Sequence, residues 1–445
     1  VRLVVQALAN LLRAKYAGAD VSVLVNYDTR FLSERFAVEA ARILSHNKIQ
    51  VFLSERDAPS QAQAYQIIKR RAQGGINFTA SFNPPEYNGL KYNVETGAPA
   101  MPAETEALEK EIRRLQGDYS VFPGYPRTEY IERIDLRSDY LAFIQDKIDF
   151  ELIRKSGLKV AVDSLYGTSR EYLDETLSEN GVPVEEIHGY IDPYFGGIAP
   201  SCTEENLTEL RRLVRDKKCD LGIATDADGD RFGIVDHRGN YILPNLVLAV
   251  LFEYLVAFKG WRGGIARSVA TTHLIDRIAR AYDLPVYRTK VGFKFLADLW
   301  LQNKIVFGGE ETASLAVARH LPEKDGIMAG LLTAEMVAAS GRRLSDLIVG
   351  LFRKYGERIG QQKNIPSNPE RTRNLRRLIK VPPSRLAGRP VENIETIEGV
   401  KFDFKGDDWV LLRTSGTEPL IRCYAEAGTK RDLRALVKAA LEKLG

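Results

Sequence analysis

Cysteine is scarce in this chain of 445 residues. The three present, Cys202, Cys219 and Cys423, close no disulfide framework, and none pairs at a metal-ligand spacing. That excludes a disulfide-stapled scaffold and a cysteine-based zinc site, and it fits a reducing, cytoplasmic compartment. An excess of one charge is also lacking. Lys and Arg number 63 against 59 Asp and Glu, a net charge of +4, which gives no reason to expect a nucleic-acid or membrane partner. The basic stretch from Arg371 to Lys380 is the local exception and reads as a solvated helix face. Long apolar runs are missing as well: the most apolar one, Leu246 to Phe258, contains Glu253 and is too short to span a bilayer. The opening residues have helical spacing at Val4, Leu8, Leu11 and Leu12, without the charged start and cleavage site of a signal peptide. Because Val1 already falls inside that helical pattern, a preceding N-terminal piece is expected.

What is present is a repeated rhythm of apolar runs and amphipathic segments, the mark of an α/β chain. Strands are predicted over 21–26, 49–54 and 75–80, with helices over 33–45 and 61–71. The rhythm restarts at 158–163, followed by a helix over 169–179, a strand over 184–187, a helix over 204–216 and a strand over 220–225. It restarts again at 264–270, with a helix over 272–282, a strand over 285–289, a helix over 293–301 and a strand over 304–307. Three βαβα units of ordinary domain size follow, over 1–135, 136–258 and 259–363. After about Gln362 the character changes. Residues 363–370 (KNIPSNPE) read as a linker, and a smaller α+β domain, 364–445, has strands near 400–404 and 409–412 and a last helix over 430–444.

Four segments carry candidate chemistry. Ser81 follows a strand and opens a loop rich in Pro and Gly, which holds a hydroxyl at a domain edge; Lys91 lies just beyond it. An ordinary serine turn is the plain alternative. Asp226, Asp228 and Asp230 alternate at a strand end. Three crowded carboxylates invite a cation, and oxygen-only ligands select Mg²⁺ or Ca²⁺ over zinc. An EF-hand is excluded, because its sixth and twelfth positions hold Arg231 and His237 rather than Gly and Glu. Gly308-Gly309-Glu310-Glu311-Thr312 offers an acceptor and a hydroxyl suited to sugar hydroxyls, with Lys294 opening the helix upstream; a β-turn and an exposed lysine are the plain readings here. Arg413-Thr414-Ser415-Gly416-Thr417, with Arg422 after it, makes an anion cradle or a polar hairpin turn, and it is not a Walker A loop.

At these residues the chain resembles the α-D-phosphohexomutases, the phosphoglucomutase and phosphomannomutase family, over almost its whole length. TASFNPPEYNGLK is similar to the family's phosphoserine loop, DADGDR to its metal loop, GGEET to its sugar loop and RTSGTEPLIR to its phosphate loop. Tyr27-Asp28-Thr29-Arg30 and Phe195-Gly196-Gly197 match in order and spacing. The resemblance implies four domains around a central cleft and interconversion of hexose 1-phosphate and hexose 6-phosphate. It implies a phosphoryl group on Ser81 and Mg²⁺ held by Ser81, Asp226, Asp228 and Asp230, with Arg231 contacting the phosphate. It places Glu310 and Thr312 on sugar hydroxyls, Lys294 near the substrate, and Arg413, Ser415, Gly416, Thr417 and Arg422 on the distal phosphate. Glucose 1,6-bisphosphate or mannose 1,6-bisphosphate is the implied intermediate and activator. Lys91 and Lys294 are the candidates for handling the hydroxyl proton.

Three departures qualify this. Phe82 stands where many members have His, so no histidine base follows Ser81. Thr312-Ala313-Ser314 replaces a Ser-Gly-His found in some members, which leaves glucose against mannose open and looks less like the glucosamine subgroup. The family's opening Gly-rich strand with its Arg is not in this sequence. A related metal-dependent phosphatase and a non-catalytic sugar-phosphate binding protein are the competing readings. The oligomeric state is not legible.

Overall fold

The computed structural model describes residues 1–117, 126–416 and 418–445. They form two compact units. One comprises Val1–Val247, Ala297–Asn303 and Thr312–Leu344; the other comprises Leu248–Leu296, Lys304–Glu311 and Ser345–Gly445.

The first unit carries two mixed sheets. In one, the strands run in the order Lys91–Val94, Gly74–Phe78, Ser22–Tyr27, Gln50–Ser54, Ile131–Ile134. All neighbours are parallel except the first pair. Val23, Leu24 and Val25 are buried in succession, as a parallel strand covered on both faces requires. The other sheet runs Tyr241–Ile242, Phe232–Asp236, Leu221–Thr225, Val160–Asp163, Val184–Ile187. Phe232–Asp236 returns antiparallel beside Leu221–Thr225, with Thr225 opposite Phe232. Residues 226–231 are therefore the loop of a β-hairpin.

The helix Gly326–Ser340 is mostly apolar and buried from Gly326 to Ala338, and the buried Glu335 within it accepts from Asp149 N at 2.8 Å. Asp325 caps it by accepting from Met328 N at 2.8 Å, and also accepts from the Tyr140 hydroxyl at 2.6 Å. The helix start abuts the acidic hairpin loop: Gly326 N donates to Gly229 O at 3.1 Å. A Cβ at position 326 would collide with Arg231 O and come within 2.8 Å of Gly229 O, so only glycine permits this approach.

The second unit contains the parallel strands Val286–Thr289, Gly264–Ser268 and Ile305–Glu310. It also holds an antiparallel sheet in the order Ile359–Pro366, Leu420–Ala427, Asp408–Thr414, Val400–Phe404, Asn393–Glu395. Both faces of Asp408–Thr414 are used. Val410 and Leu412 join Phe402, Phe404, Leu433 and Leu436 in one core, while Trp409 and Leu411 pack with Val269 and Ala270 in another. That division follows the two-residue alternation of a strand.

The α/β architecture with an antiparallel C-terminal sheet agrees with the periodicity. Four local readings need correction. The first half of the expected linker over 363–370 is strand and its end opens a helix: Ile359–Pro366 pairs along its whole length with Leu420–Ala427, and the helix Pro369–Lys380 follows, so the loop-like composition reflects an edge strand ending at a proline and a helix start. The helix expected over 169–179 begins at Leu173, because Glu171 has a left-handed φ of 65°. The helix expected over 204–216 begins at Thr208. The strand expected over 304–307 continues through Gly308 and Gly309 to Glu310, so these residues belong to a strand rather than to a turn.

Candidate active site

Ser81 lies just beyond the strand Gly74–Phe78, and a fan of hydrogen bonds holds its loop. The Arg30 guanidinium donates to Ser81 O at 2.5 Å, Asn83 O at 2.6 Å, Pro84 O at 2.7 Å and Tyr87 O at 3.0 Å. Its Nε donates to the Asp28 carboxylate at 3.0 Å. Five fixed donors therefore meet five acceptors, which a planar guanidinium can do and an ammonium cannot. Ser81 N donates to Thr79 Oγ1 at 2.8 Å, and the residue sits at φ 51°, a conformation an L-residue adopts only under constraint.

The Ser81 hydroxyl donates to Asp226 Oδ2 at 2.8 Å. Asp226, Asp228 and Asp230 are fully buried, and a ligand oxygen from each lies within 4.8 Å of the others. Cations surround them. Lys91 Nζ is 2.5 Å from Asp228 Oδ2 and 2.7 Å from Asp230 Oδ2. Lys324 Nζ is 3.0 Å from Asp230 Oδ2. Arg231 N donates to Asp226 Oδ1 at 3.0 Å, and its Nε stands 3.4 Å from Asp230 Oδ1. Ser60 Oγ donates to Asp228 Oδ2 at 2.6 Å. Arg231 Nη1 also reaches Thr312 O at 2.6 Å, and its guanidinium covers the Phe82 ring at 4.9 Å from the centroid.

Burial, with Asp230 and Asp228 alongside, pushes the Asp226 carboxyl well above the usual range. Burial acts the same way on Asp230, but Lys324 and Lys91 outweigh it and hold that carboxyl below its ordinary value. Burial alone would lower Lys91, yet Asp228 and Asp230 raise it, which keeps its ammonium charged and leaves it a poor proton acceptor.

A divalent cation fits these residues. Asp228 Oδ1 and Asp230 Oδ1 are buried oxygens that accept no hydrogen bond among the described residues. Such oxygens are costly unless a ligand meets them. An all-oxygen donor set is the kind Mg²⁺ takes.

The second unit holds the remaining candidates. Glu310 is buried at the end of its strand, where Oε1 accepts from Gly292 N at 2.6 Å. Lys294 is half-buried as the second residue of the helix Phe293–Leu301, 5.6 Å over the Phe295 ring. Arg413 and Arg422 stand directly opposite each other on antiparallel strands. Like charges so placed repel, and each has a carboxylate: Glu398 at 2.8 Å from Arg413, Glu418 at 2.5 Å from Arg422. The Nε of both arginines is buried without a hydrogen-bond partner among the described residues, an arrangement that suits an anion. Ser415 N donates to Leu420 O at 2.8 Å and closes the hairpin loop; Gly416 is exposed in it, and Thr417 lies outside the described residues.

Ser81, Lys91, Arg231, Thr312 and the three aspartates thus come together in one unit. Lys294, Glu310, Arg413, Ser415, Gly416 and Arg422 lie in the other. Sequence reasoning missed Lys324, Ser60 and the clamp made by Arg30. The only signal for Lys324 was its place beside Asp325-Gly326, a cap before an apolar run. Nothing local reveals Ser60 as a partner of Asp228, since 168 residues separate them.

Family models described as phosphoglucomutase/phosphomannomutase α/β/α domains I, II and III match residues 1–117, 138–239 and 243–355, and the C-terminal domain model matches 367–443. A phosphoglucomutase/phosphomannomutase of Thermococcus kodakarensis is 30% identical over 392 residues, covering 87% of this chain and 82% of the relative. A phosphoglucosamine mutase of Acetivibrio thermocellus is 30% identical over 398 residues, covering 87% and 83%. The solved structure of a "putative phosphomannomutase from Thermus Thermophilus" superposes with a TM-score of 0.84 at 28% identity, covering 99% of this chain and 93% of that one.

Proposed function

This chain belongs to the phosphoglucomutase/phosphomannomutase family, the α-D-phosphohexomutases, and from that premise we propose that it interconverts hexose 1-phosphates and hexose 6-phosphates by way of a phosphoryl group carried on Ser81. The observation that carries the reading is the contact of the Ser81 hydroxyl with a buried aspartate of a cation-ready triad, 145 residues away in sequence.

In the phosphorylated protein, Ser81 gives its phosphoryl group to the free hydroxyl of a hexose monophosphate. The serine Oγ–P bond breaks and a sugar O–P bond forms, giving a 1,6-bisphosphate. The bisphosphate then turns end for end and returns its other phosphoryl group to Ser81. Arg30 holds the loop so that Oγ stays on one line of approach, and alignment is most of what phosphoryl transfer asks of a protein. Asp226, Asp228, Asp230 and an oxygen of the phosphoserine would hold Mg²⁺, which when bound neutralises charge on the transferring phosphoryl group and the serine oxygen. Arg231, with its head fixed by Thr312 O and the Phe82 ring, neutralises phosphate charge from the protein side. Glu310 and Thr312 read sugar hydroxyls. Arg413, Arg422, Ser415, Gly416 and Thr417 hold the phosphate that is not reacting, and must do so for either end of the sugar. Lys91 and Lys294 are the candidates for handling the hydroxyl proton, and the carboxylates hold Lys91 in its charged, proton-donating form.

Glucose and mannose phosphates are the proposed substrates. Glucosamine phosphate stands as a second reading, favoured by the likeness to a phosphoglucosamine mutase over most of the chain. The four domains are read over 1–135, 136–258, 259–363 and 364–445, in a cytoplasmic enzyme. No helix among the described residues is long and apolar enough to cross a membrane.

The test is a side-by-side turnover assay on glucose, mannose and glucosamine 1-phosphates with Mg²⁺ and a catalytic amount of the matching bisphosphate. Formation of a 6-phosphate, with label from the bisphosphate recovered on Ser81, supports the reading. Free phosphate as the sole product, or turnover undiminished in Ser81→Ala, sinks it.

A further inference from the structure

We infer that Glu398 is a positioning residue that sets the phosphate-binding Arg413 relative to the sugar-reading Glu310; the inference rests on the mutase reading for what those two residues do. Glu398 ends the segment before the strand Val400–Phe404. Its carboxylate has two partners. Oε1 accepts from Arg413 Nη1 at 2.8 Å, and Oε2 accepts from Val291 N at 2.6 Å. The next amide along, Gly292 N, donates to Glu310 Oε1 at 2.6 Å. Two adjacent backbone amides are thus gripped by two carboxylates, one from the sugar segment and one that carries the arginine of the phosphate segment. Lys294 follows two residues later on the helix that this turn opens.

The links are short and mostly charge-assisted, the kind that fixes geometry as well as adding energy. Arg413 is buried, and its other contacts are long: 3.4 Å to the Tyr424 hydroxyl and 3.4 Å to Thr414 O. Glu398 is therefore the only partner that holds the Arg413 head at a normal hydrogen-bond length among the described residues. The glycine after it explains how the carboxylate gets there. Gly399 has φ 74°, and a Cβ on it would collide with Leu412 O and stand 2.8 Å from the Arg413 Cα. The backbone of this turn passes directly over the strand bearing Arg413, which brings the side chain of residue 398 to that guanidinium. Neither Glu398 nor Val291 touches the proposed chemistry, so the effect of Glu398 is on where substrate sits.

The test uses Glu398→Gln, which keeps the shape and one acceptor but loses the charge facing Arg413, together with Glu398→Ala. Turnover of hexose 1-phosphate is measured with Mg²⁺ and bisphosphate primer, and binding of inorganic phosphate to the full chain is measured by calorimetry. Both variants are expected to raise KM and the phosphate Kd about tenfold while kcat stays within about threefold, the loss of one charge-assisted contact. In the double variant Glu398→Gln/Arg413→Lys the losses should fall short of additive, because both changes remove one interaction. Unchanged KM and phosphate Kd in Glu398→Gln, or a fall in kcat alone, overturns the inference. Absence of turnover in the unaltered protein would instead count against the mutase reading, and the phosphate titration would still decide the role of Glu398.

Discussion

Two β-hairpin loops of opposite sign carry most of the proposed chemistry, and they are built differently. The acidic one spans 226–231 between paired buried strands, and all three of its aspartates are fully buried. It is held from outside: by Ser60 and Lys91 from one sheet domain, by Lys324, and by the start of the helix at Gly326. The basic one is flanked by Arg413 and Arg422, has Gly416 and Glu418 exposed, and draws one carboxylate for each arginine. A cation with strict coordination geometry needs oxygens fixed in advance, whereas a phosphate presented by either end of a sugar needs charge more than exact placement. In both loops the buried polar atoms that make no hydrogen bond among the described residues, Asp228 Oδ1 and Asp230 Oδ1 at one and the two arginine Nε atoms at the other, have the polarity opposite to the proposed ligand.

The sharpest way to break this contrast is at the acidic loop. Asp228→Ala removes the carboxylate that two neighbours, Ser60 and Lys91, hold in place. Turnover should fall on the order of a thousandfold or more, the scale of losing electrostatic stabilisation at the transferring group. Treatment with EDTA should do the same to the unaltered protein, and Mg²⁺ should restore it. Normal turnover after exhaustive chelation would remove the metal from the scheme.

The next effect concerns the loop that meets the acidic hairpin. Arg30→Lys keeps a charge but replaces a rigid fork with a point donor. With the carbonyls of Ser81, Asn83, Pro84 and Tyr87 no longer gathered, kcat should drop ~10–100-fold while KM changes little. A variant with normal kcat would mean that the loop holds its left-handed Ser81 without the clamp. At the basic hairpin, Arg422→Ala should act in the other parameter, raising KM about tenfold with a smaller change in kcat. If both substitutions moved the same parameter, the two hairpins would not have the separate roles argued above.

Much of this was legible in the residues, for reasons that can be named. The strands over 22–27 and 221–225 carry short unbroken apolar stretches, Val23 to Val25 and Leu221 to Ala224, and buried strands have that composition. The aspartate triad stood out because all three of its ligands sit within five consecutive residues. The strands Lys91–Val94 and Phe232–Asp236 did not stand out, each following directly on a loop that carries candidate chemistry, and without Phe232–Asp236 the acidic segment reads as a strand end rather than as a hairpin. Partners at long separation left no trace: Lys324 and Asp230 meet only because a buried helix begins against the hairpin. The polar strand Ile359–Pro366 passed for a linker because pairing along a sheet edge places no demand on apolar residues.

The smallest effect serves as a control on the idea that clustered charge marks a ligand. Lys401 is buried in the same unit as the basic hairpin. Its Nζ donates to Val269 O at 2.7 Å and to His273 Nε2 at 2.9 Å, and lies 4.1 Å over the Trp409 ring. Burial, with Arg267 nearby, pulls the ammonium down to about 7. A lysine depressed on folding contributes stability above its unfolded value near 10.5 that is lost as pH falls through 7. Below that point the charge stays in and costs. Unlike the atoms of the two hairpins that make no hydrogen bond among the described residues, this amine already has its partners, so it needs no ligand. Lys401→Met should then stabilise the protein by ~1–3 kcal/mol at pH 6, with the gain shrinking toward pH 9, and should leave KM for hexose phosphate unchanged. Thermal melts of both proteins across that range check the sign. A variant that loses stability at pH 6, or whose KM rises, would mean that this buried charge too is part of how the basic hairpin is held.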